Sequence, residues 1–290
     1  MIIRGQSQQM ERRILLTECP DAKGLIAMIT GACFRHQFNI IKNDQFVSET
    51  DSRFFMRTEI EGDFKNGNGD IMVNEIISSI PAGGRCRLEP ESRKKILILV
   101  TKEPHVLGDL LMKSYSGAMP IDIVGVIGNY SVLEDLTAKF NIPYITVSHE
   151  GISREEHEKR MLEAIAKFKS DYIVLAKYMR ILSPEFVNHF PKGKMINIHH
   201  SFLPAFMGAK PYQQAFDRGV KIIGATAHFV TESLDEGPII AQDVIKVNHN
   251  YSAESMARAG RDVERMVLDR ALSRVIADKV FIHGNKTVVF

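Results

Sequence analysis

Ile96-Leu97-Ile98-Leu99-Val100 is an unbroken run of large aliphatic residues, entered from Lys94-Lys95 and left through Thr101-Lys102-Glu103-Pro104. A strand with one face in water alternates apolar and polar residues. A strand with no polar position needs cover on both faces, as in a parallel sheet flanked by helices. Comparable runs follow at residues 121–127, 142–147, 172–175 and 195–198, with helical patterns between them. The clearest of these patterns spans 153–169, where Ser153 is placed to cap and Glu156 completes a capping-box spacing. Strands alternating with helices at this pitch predict an α/β domain with helices on both faces of its sheet. After Pro211, two strand-like runs at 222–230 and 239–247 come in succession, and an amphipathic helix is predicted over 252–278.

Toward the N-terminus the pattern breaks. Residues 81–95, Pro-Ala-Gly-Gly-Arg-Cys-Arg-Leu-Glu-Pro-Glu-Ser-Arg-Lys-Lys, gather turn formers and charges between two regular regions. A domain boundary at about Glu91 divides the chain into 1–90 and 91–290. The first part begins with a short strand over 13–17. Pro20-Asp21 then opens a helix, with Leu25, Ile26, Ile29, Cys33 and Phe34 at helical spacing. Strands over 38–47 and 53–60, a helix over 70–80 and a strand over 85–88 complete a β-α-β-β-α-β order, the ferredoxin-like α+β arrangement.

A length of 290 residues accommodates two such domains. With 37 Lys+Arg against 35 Asp+Glu, the net charge of +2 offers no bulk basic surface for nucleic acid. Cys19, Cys33 and Cys86 form no CxxC pair and read as small packing residues of a reducing compartment. No apolar run approaches the roughly 18 residues that span a bilayer, and the first nine residues lack the apolar core of a secretory signal. A cytoplasmic protein without membrane partners is the expectation.

Polar residues concentrate in apolar surroundings at Asn197-Ile198-His199-His200-Ser201-Phe202-Leu203-Pro204, at the carboxyl end of a predicted buried strand. Ligands of open α/β sheets bind outside such ends. Strand alternation puts Asn197 and His199 on one side and His200 on the other. An amide and an imidazole side by side suit a developing oxyanion. They equally suit capped, hydrogen-bonded core positions, and a metal held by His199, His200 and His228 is a third reading, weakened by the opposed directions of adjacent histidines. In Leu234-Asp235-Glu236-Gly237-Pro238, a carboxylate held at a strand start is either a general base whose pKa burial raises or part of a solvated turn. His228, within Thr226-Ala227-His228, reads as a hydrogen-bonded core histidine. Ala176-Lys177-Tyr178-Met179-Arg180-Ile181-Leu182 follows another strand end and can frame a flat heterocycle through its backbone.

Together, Asn197-x-His199, the following Ser-Phe-Leu-Pro-Ala-Phe, and Asp235 within Leu-Asp-x-Gly-Pro-Ile-Ile resemble the formyltransferase family, whose members handle 10-formyltetrahydrofolate and share a Rossmann-like α/β domain. The resemblance spans residues 94–290. It implies a catalytic trio of Asn197, His199 and Asp235, with His228 orienting it. It also implies a folate pocket lined by Met179, Arg180, Ile181 and Leu182 and by Thr231, Glu232, Ser233 and Leu234.

In the glycinamide ribonucleotide formyltransferases of that family, a Gly/Ser-rich turn after the first strand grips the acceptor's phosphate. Here the turn is Thr101-Lys102-Glu103-Pro104, in which Pro104 has no N–H and Glu103 repels phosphate. Water then remains as the nucleophile. The N-terminal domain, with Thr17-Glu18-Cys19-Pro20-Asp21-Ala22-Lys23-Gly24-Leu25-Ile26 at its first turn, resembles an ACT domain, and an ACT domain ahead of a formyltransferase domain is the layout of the family's hydrolytic members.

The resemblance thus implies hydrolysis of 10-formyltetrahydrofolate to tetrahydrofolate and formate, supplying formate for purine biosynthesis and balancing one-carbon folate pools. Asn197 and His199 would polarise the formyl carbonyl while Asp235 positions water and takes its proton. No metal or cofactor is required. Glycine or methionine is the expected effector, at Asp21, Lys23, Gly24 and Leu25, and a homo-oligomer is expected. The alternatives are transfer of the formyl group to an amine acceptor, and a non-catalytic ACT-based amino-acid sensor.

Overall fold

A computed structural model describes residues 10–205 and 211–290; the N-terminal segment read for a signal, and Phe206 of the Ser-Phe-Leu-Pro-Ala-Phe motif, lie outside them. The described residues divide into two units. One runs to Ser92 and includes Ala277–Phe281 and Val288–Phe290; the other comprises Arg93–Ile276 and Ile282–Thr287.

The first unit holds β1 (Glu11–Pro20), α1 (Leu25–Arg35), β2 (Asn39–Ser48), β3 (Arg53–Gly62), α2 (Asn68–Ser79) and β4 (Arg85–Pro90). Its sheet has the order β2-β3-β1-β4 and is antiparallel. The pleat sorts β3 by alternation: Phe54, Met56 and Ile60 join Leu15, Ile29, Met72 and Ile76 in one core, while Phe55 faces the other way with Ile14 and Leu16.

That second face explains a departure from the expected boundary. Phe281, Val288 and Phe290 pack against Ile14, Leu16 and Phe55, so the last residues of the chain join the first unit although they follow residue 91 by far. The buried Arg57 guanidinium also donates to the carbonyls of Ala277 and Asp278. Helix α1 starts at Leu25 rather than at Pro20-Asp21, because Gly24 adopts a left-handed φ of 86° and closes the turn first. Its buried stripe is Leu25, Ile29, Ala32 and Cys33; Ile26 and Phe34 are exposed. All three cysteines are buried and free.

The second unit continues with β5 (Lys94–Val100), α3 (His105–Ser116), β6 (Ile121–Gly128), α4 (Glu134–Ala138), β7 (Tyr144–Thr146), α5 (Arg154–Ile165), β8 (Tyr172–Ala176), α6 (Pro184–Asn188) and β9 (Met195–His199). After these come α7 (Pro211–Arg218), β10 (Ile222–Phe229), β11 (Ile239–Lys246) and α8 (Ala253–Ile276). The sheet order is β11-β10-β9-β8-β5-β6-β7. Strands β5 to β9 are parallel, and β10 is antiparallel to both β9 and β11.

Residues 96–100 are fully buried, as an unbroken aliphatic run requires. Leu97 and Leu99 pack with Met161 and Ala164 of α5 and Phe186 of α6, while α3 packs on β6 and α8 on β9, β10 and β11. Ser153 accepts the Glu156 N–H and starts α5. A terminal hairpin of β12 (Val280–His283) and β13 (Lys286–Val289) follows the helix predicted over 252–278, in a stretch for which the sequence pattern predicted no element. No helix among the described residues is long and apolar enough to cross a membrane.

Candidate active site

Asn197 and His199 stand two residues apart on β9, so the pleat carries both toward one face. Strand β10 places His228 opposite Asn197, at the point where the pairing of β10 with β11 shifts register. His228 Nδ1 donates to the Phe229 carbonyl at 2.9 Å. Nε2 then accepts an Asn197 Nδ2–H at 3.2 Å, leaving the second amide hydrogen of Asn197 available.

Asp235 comes from the loop before β11, where its φ is 56°. Two residues on, Gly237 passes so close to β10 that a Cβ there would lie 1.8 Å from the Phe229 carbonyl oxygen. Only glycine allows that approach. The Phe229 N–H closes the seam on the Pro238 carbonyl at 2.9 Å. Asp235 Oδ1 thereby stands 3.3 Å from His199 Nδ1 and 3.7 Å from His228 Nε2, while Glu236 is exposed.

The electrostatics reverse one expectation. Burial pushes the Asp235 carboxyl up, but the hydrogen bond from His199 and the nearby His228 ring outweigh it and hold the group well below the usual carboxylate range. Asp235 is therefore ionised and weakly basic. As an acceptor only, it receives the His199 Nδ1–H. The other ring nitrogen, His199 Nε2, is buried and has no hydrogen-bond partner among the described residues.

These four residues line a cavity of roughly 300 Å³. Met179, Arg180, Ile181 and Leu182 line it too, as do Thr231, Glu232, Ser233 and Leu234. Met179 is positioned by its N–H, which donates to Thr101 Oγ1 at 2.9 Å. The loop after β9 is tied down by Thr226: its Oγ1 donates to the Ser201 carbonyl at 2.8 Å and accepts the Leu203 N–H at 3.0 Å. In the turn after β5, Glu103 faces Arg261 and His105, each at 3.6 Å.

His200 departs from the alternation argument. Strand β9 ends at His199, the pleat no longer governs the next residue, and the two rings stack with centroids 5.1 Å apart. His200 lines the same cavity. Among the described residues no group of three or more His, Cys, Asp or Glu is arranged to hold a metal.

Sequence reasoning missed a second cluster beside the cavity. Glu264 is fully buried on α8. It accepts from Tyr212 Oη and from His105 Nε2, both at 2.7 Å, and its oxygens lie 3.3 and 3.4 Å from Lys177 Nζ. Burial pushes this carboxyl up, yet the His105 hydrogen bond, the Lys177 charge and the Tyr212 hydroxyl bring it down to about 2. Lys177 is buried, lines the cavity and has a φ of 61°, uncommon for a residue with a Cβ. The readable signal was Glu264 itself, a charge inside the apolar stripe of Met256, Val263, Val267 and Leu268.

In the first unit, the expected effector residues sit at the β1–α1 turn. Asp21 donates its N–H to the Ser52 carbonyl at 2.7 Å, and Lys23 and Gly24 are exposed. Leu25 points into the core and has no side-chain surface to offer a ligand.

Comparisons with known proteins bear on the whole chain. Residues 94–272 match the model of the formyl transferase family. A formyltetrahydrofolate deformylase of Haemophilus influenzae is 57% identical over 280 residues, covering 97% of this chain and 99% of its own. That of Escherichia coli K12 is 56% identical with the same coverage. The crystal structure of a formyltetrahydrofolate deformylase from Pseudomonas syringae pv. tomato superposes with a TM-score of 0.92 at 38% identity, covering 98% of this chain and 96% of that one.

Proposed function

We infer the reaction from one premise: the chain belongs to the formyl transferase family, and within it to the formyltetrahydrofolate deformylases. It hydrolyses 10-formyltetrahydrofolate to tetrahydrofolate and formate. The observation that carries this reading is the meeting of Asn197, His199 and Asp235 around one cavity.

The free Asn197 N–H donates to the formyl oxygen. Water attacks the formyl carbon as its proton passes to His199 Nε2; a C–O bond forms and the carbonyl electron pair becomes an oxyanion, which Asn197 stabilises. Collapse of that intermediate breaks the C–N10 bond, and His199 returns the proton to N10. Formic acid then ionises to solvent. Asp235 holds His199 in the required tautomer and balances the charge of its imidazolium, so the proton-carrying role falls to the histidine rather than to the carboxylate. His228 fixes the amide of Asn197. Met179 to Leu182 and Thr231 to Leu234 contact the folate, and neither metal nor cofactor takes part. Incubating the protein with 10-formyltetrahydrofolate and no amine, and measuring formate and tetrahydrofolate over time, tests the reading; strict dependence on an amine acceptor would overturn it.

The N-terminal unit, assigned to residues 1–90, acts as an ACT-type regulatory and dimerisation domain, and residues 91–290 as the catalytic domain. Its β-α-β-β-α-β order and the exposed turn of Asp21, Lys23 and Gly24 support an amino-acid effector, glycine or methionine, held there through backbone groups. Strand β2 lies at a sheet edge with Ile41, Phe46 and Val47 exposed, which supports assembly into a homo-oligomer. The protein works in the cytoplasm.

A further inference from the structure

One cavity residue is unused by the scheme above. His200 is buried, stacks on His199 and lies 6.2 Å from the Tyr212 ring. Its ring nitrogens are not among the buried atoms that lack a partner, and the ring lines the cavity beside His199.

The surroundings of His200 are built at some expense. Lys177 occupies a left-handed turn and carries its ammonium into the buried Glu264–His105–Tyr212 cluster. Groups facing His200 come from every side: Lys177 after β8, His199 on β9, Tyr212 on α7, Glu264 on α8 and Asp235 before β11. Burial, then the Lys177 charge, then His199 push its pKa down to about 4. The imidazole is neutral at ordinary pH and offers one bare nitrogen.

A water that attacks a carbonyl needs a lone pair directed at carbon, and hence two acceptors for its two hydrogens. His199 Nε2 is one. The His200 ring is stacked alongside His199 and lines the same cavity, so a water held there meets both imidazoles.

We propose that His200 is the residue that holds the attacking water, accepting its second hydrogen through a ring nitrogen. The inference rests on the hydrolytic reading. The step remains the one written above, with the water proton passing to His199; His200 gains no proton.

The test compares wild type, His200→Phe and His200→Gln with 10-formyltetrahydrofolate, with and without hydroxylamine, which brings its own nucleophilic nitrogen and yields formhydroxamate and tetrahydrofolate. In His200→Phe, kcat for formate release falls on the order of 10²-fold while KM stays within about twofold. Formhydroxamate formation falls less than about threefold, so the ratio of hydroxamate to formate rises by roughly 30-fold. His200→Gln, with an amide oxygen as acceptor, regains about tenfold of the lost hydrolysis. A His200→Phe enzyme with near-normal kcat overturns the proposal, and so does a parallel loss of both reactions. If His200→Phe melts, His200→Gln alone decides: reduced hydrolysis with a raised ratio supports the role, and an unchanged ratio overturns it. Failure of the wild type to release formate without amine would instead strike the hydrolytic reading itself.

Discussion

Two carboxylates stand at one cavity, Asp235 lining it and the fully buried Glu264 paired with the lining residue Lys177, and they are satisfied differently. Glu264 has a hydroxyl, an imidazole and an ammonium on its two oxygens. Asp235 has two imidazoles, one of which keeps a buried nitrogen with no partner among the described residues. A carboxylate saturated by its neighbours locks structure; one whose partner retains an unspent nitrogen can move a proton. Burial alone distinguishes neither, since both groups stay ionised.

The contrast breaks or sharpens by substitution. Asp235→Asn, which removes the acceptor of the His199 Nδ1–H, should lower kcat on the order of 10³–10⁴-fold with little change in folding, read by steady-state kinetics beside a thermal melt. Glu264→Gln should act mainly on stability, costing about 3–5 kcal/mol because the buried Lys177 is left uncompensated. Urea unfolding measures that loss, and pairing the change with Lys177→Met should restore most of it; equal damage in single and double variants would mean the cluster is no coupled unit. Asn197→Ala should cost on the order of 10²–10³ in kcat with the protein folded. A near-normal rate would remove Asn197 from the oxyanion role.

Smaller effects follow from pH and from chelation. The folded pKa of His200, about 4, lies below its ordinary 6.5. Between those values the unfolded chain binds more protons, so stability rises with pH across the window. This contribution is complete above about pH 6.5 and lost toward pH 4, amounting to about 2 kcal/mol by pH 5, and it should vanish from urea titrations of His200→Phe. Asp235 acts lower: its contribution is full above about pH 4 and disappears only as pH falls through its depressed folded value. Exhaustive chelation should leave turnover unchanged; loss of activity restored by a metal would replace the proposed chemistry.

Legibility differed by element. The aliphatic run at 96–100 announced its burial, and Ser153 with Glu156 announced the start of α5. Ile26 and Phe34 misled because they stand about 100° and 180° around the helix from Leu25, off the stripe that Leu25, Ile29 and Ala32 bury. The closing hairpin was missed because its strands are short and half-buried. Lys177 and Glu264 stand 87 residues apart, and no local pattern links them.

By itself the sequence determined the order of the strands from β1 to β11 and the shared face of Asn197 and His199, because burial runs and the two-residue pleat are properties of neighbouring backbone. Tertiary structure alone decided that Gly237 lets Asp235 reach His199, that His228 pairs with Asn197 across β9 and β10, and that Asp235 is depressed rather than raised. Register and net electrostatics depend on which distant groups arrive at a point, and folding sets that.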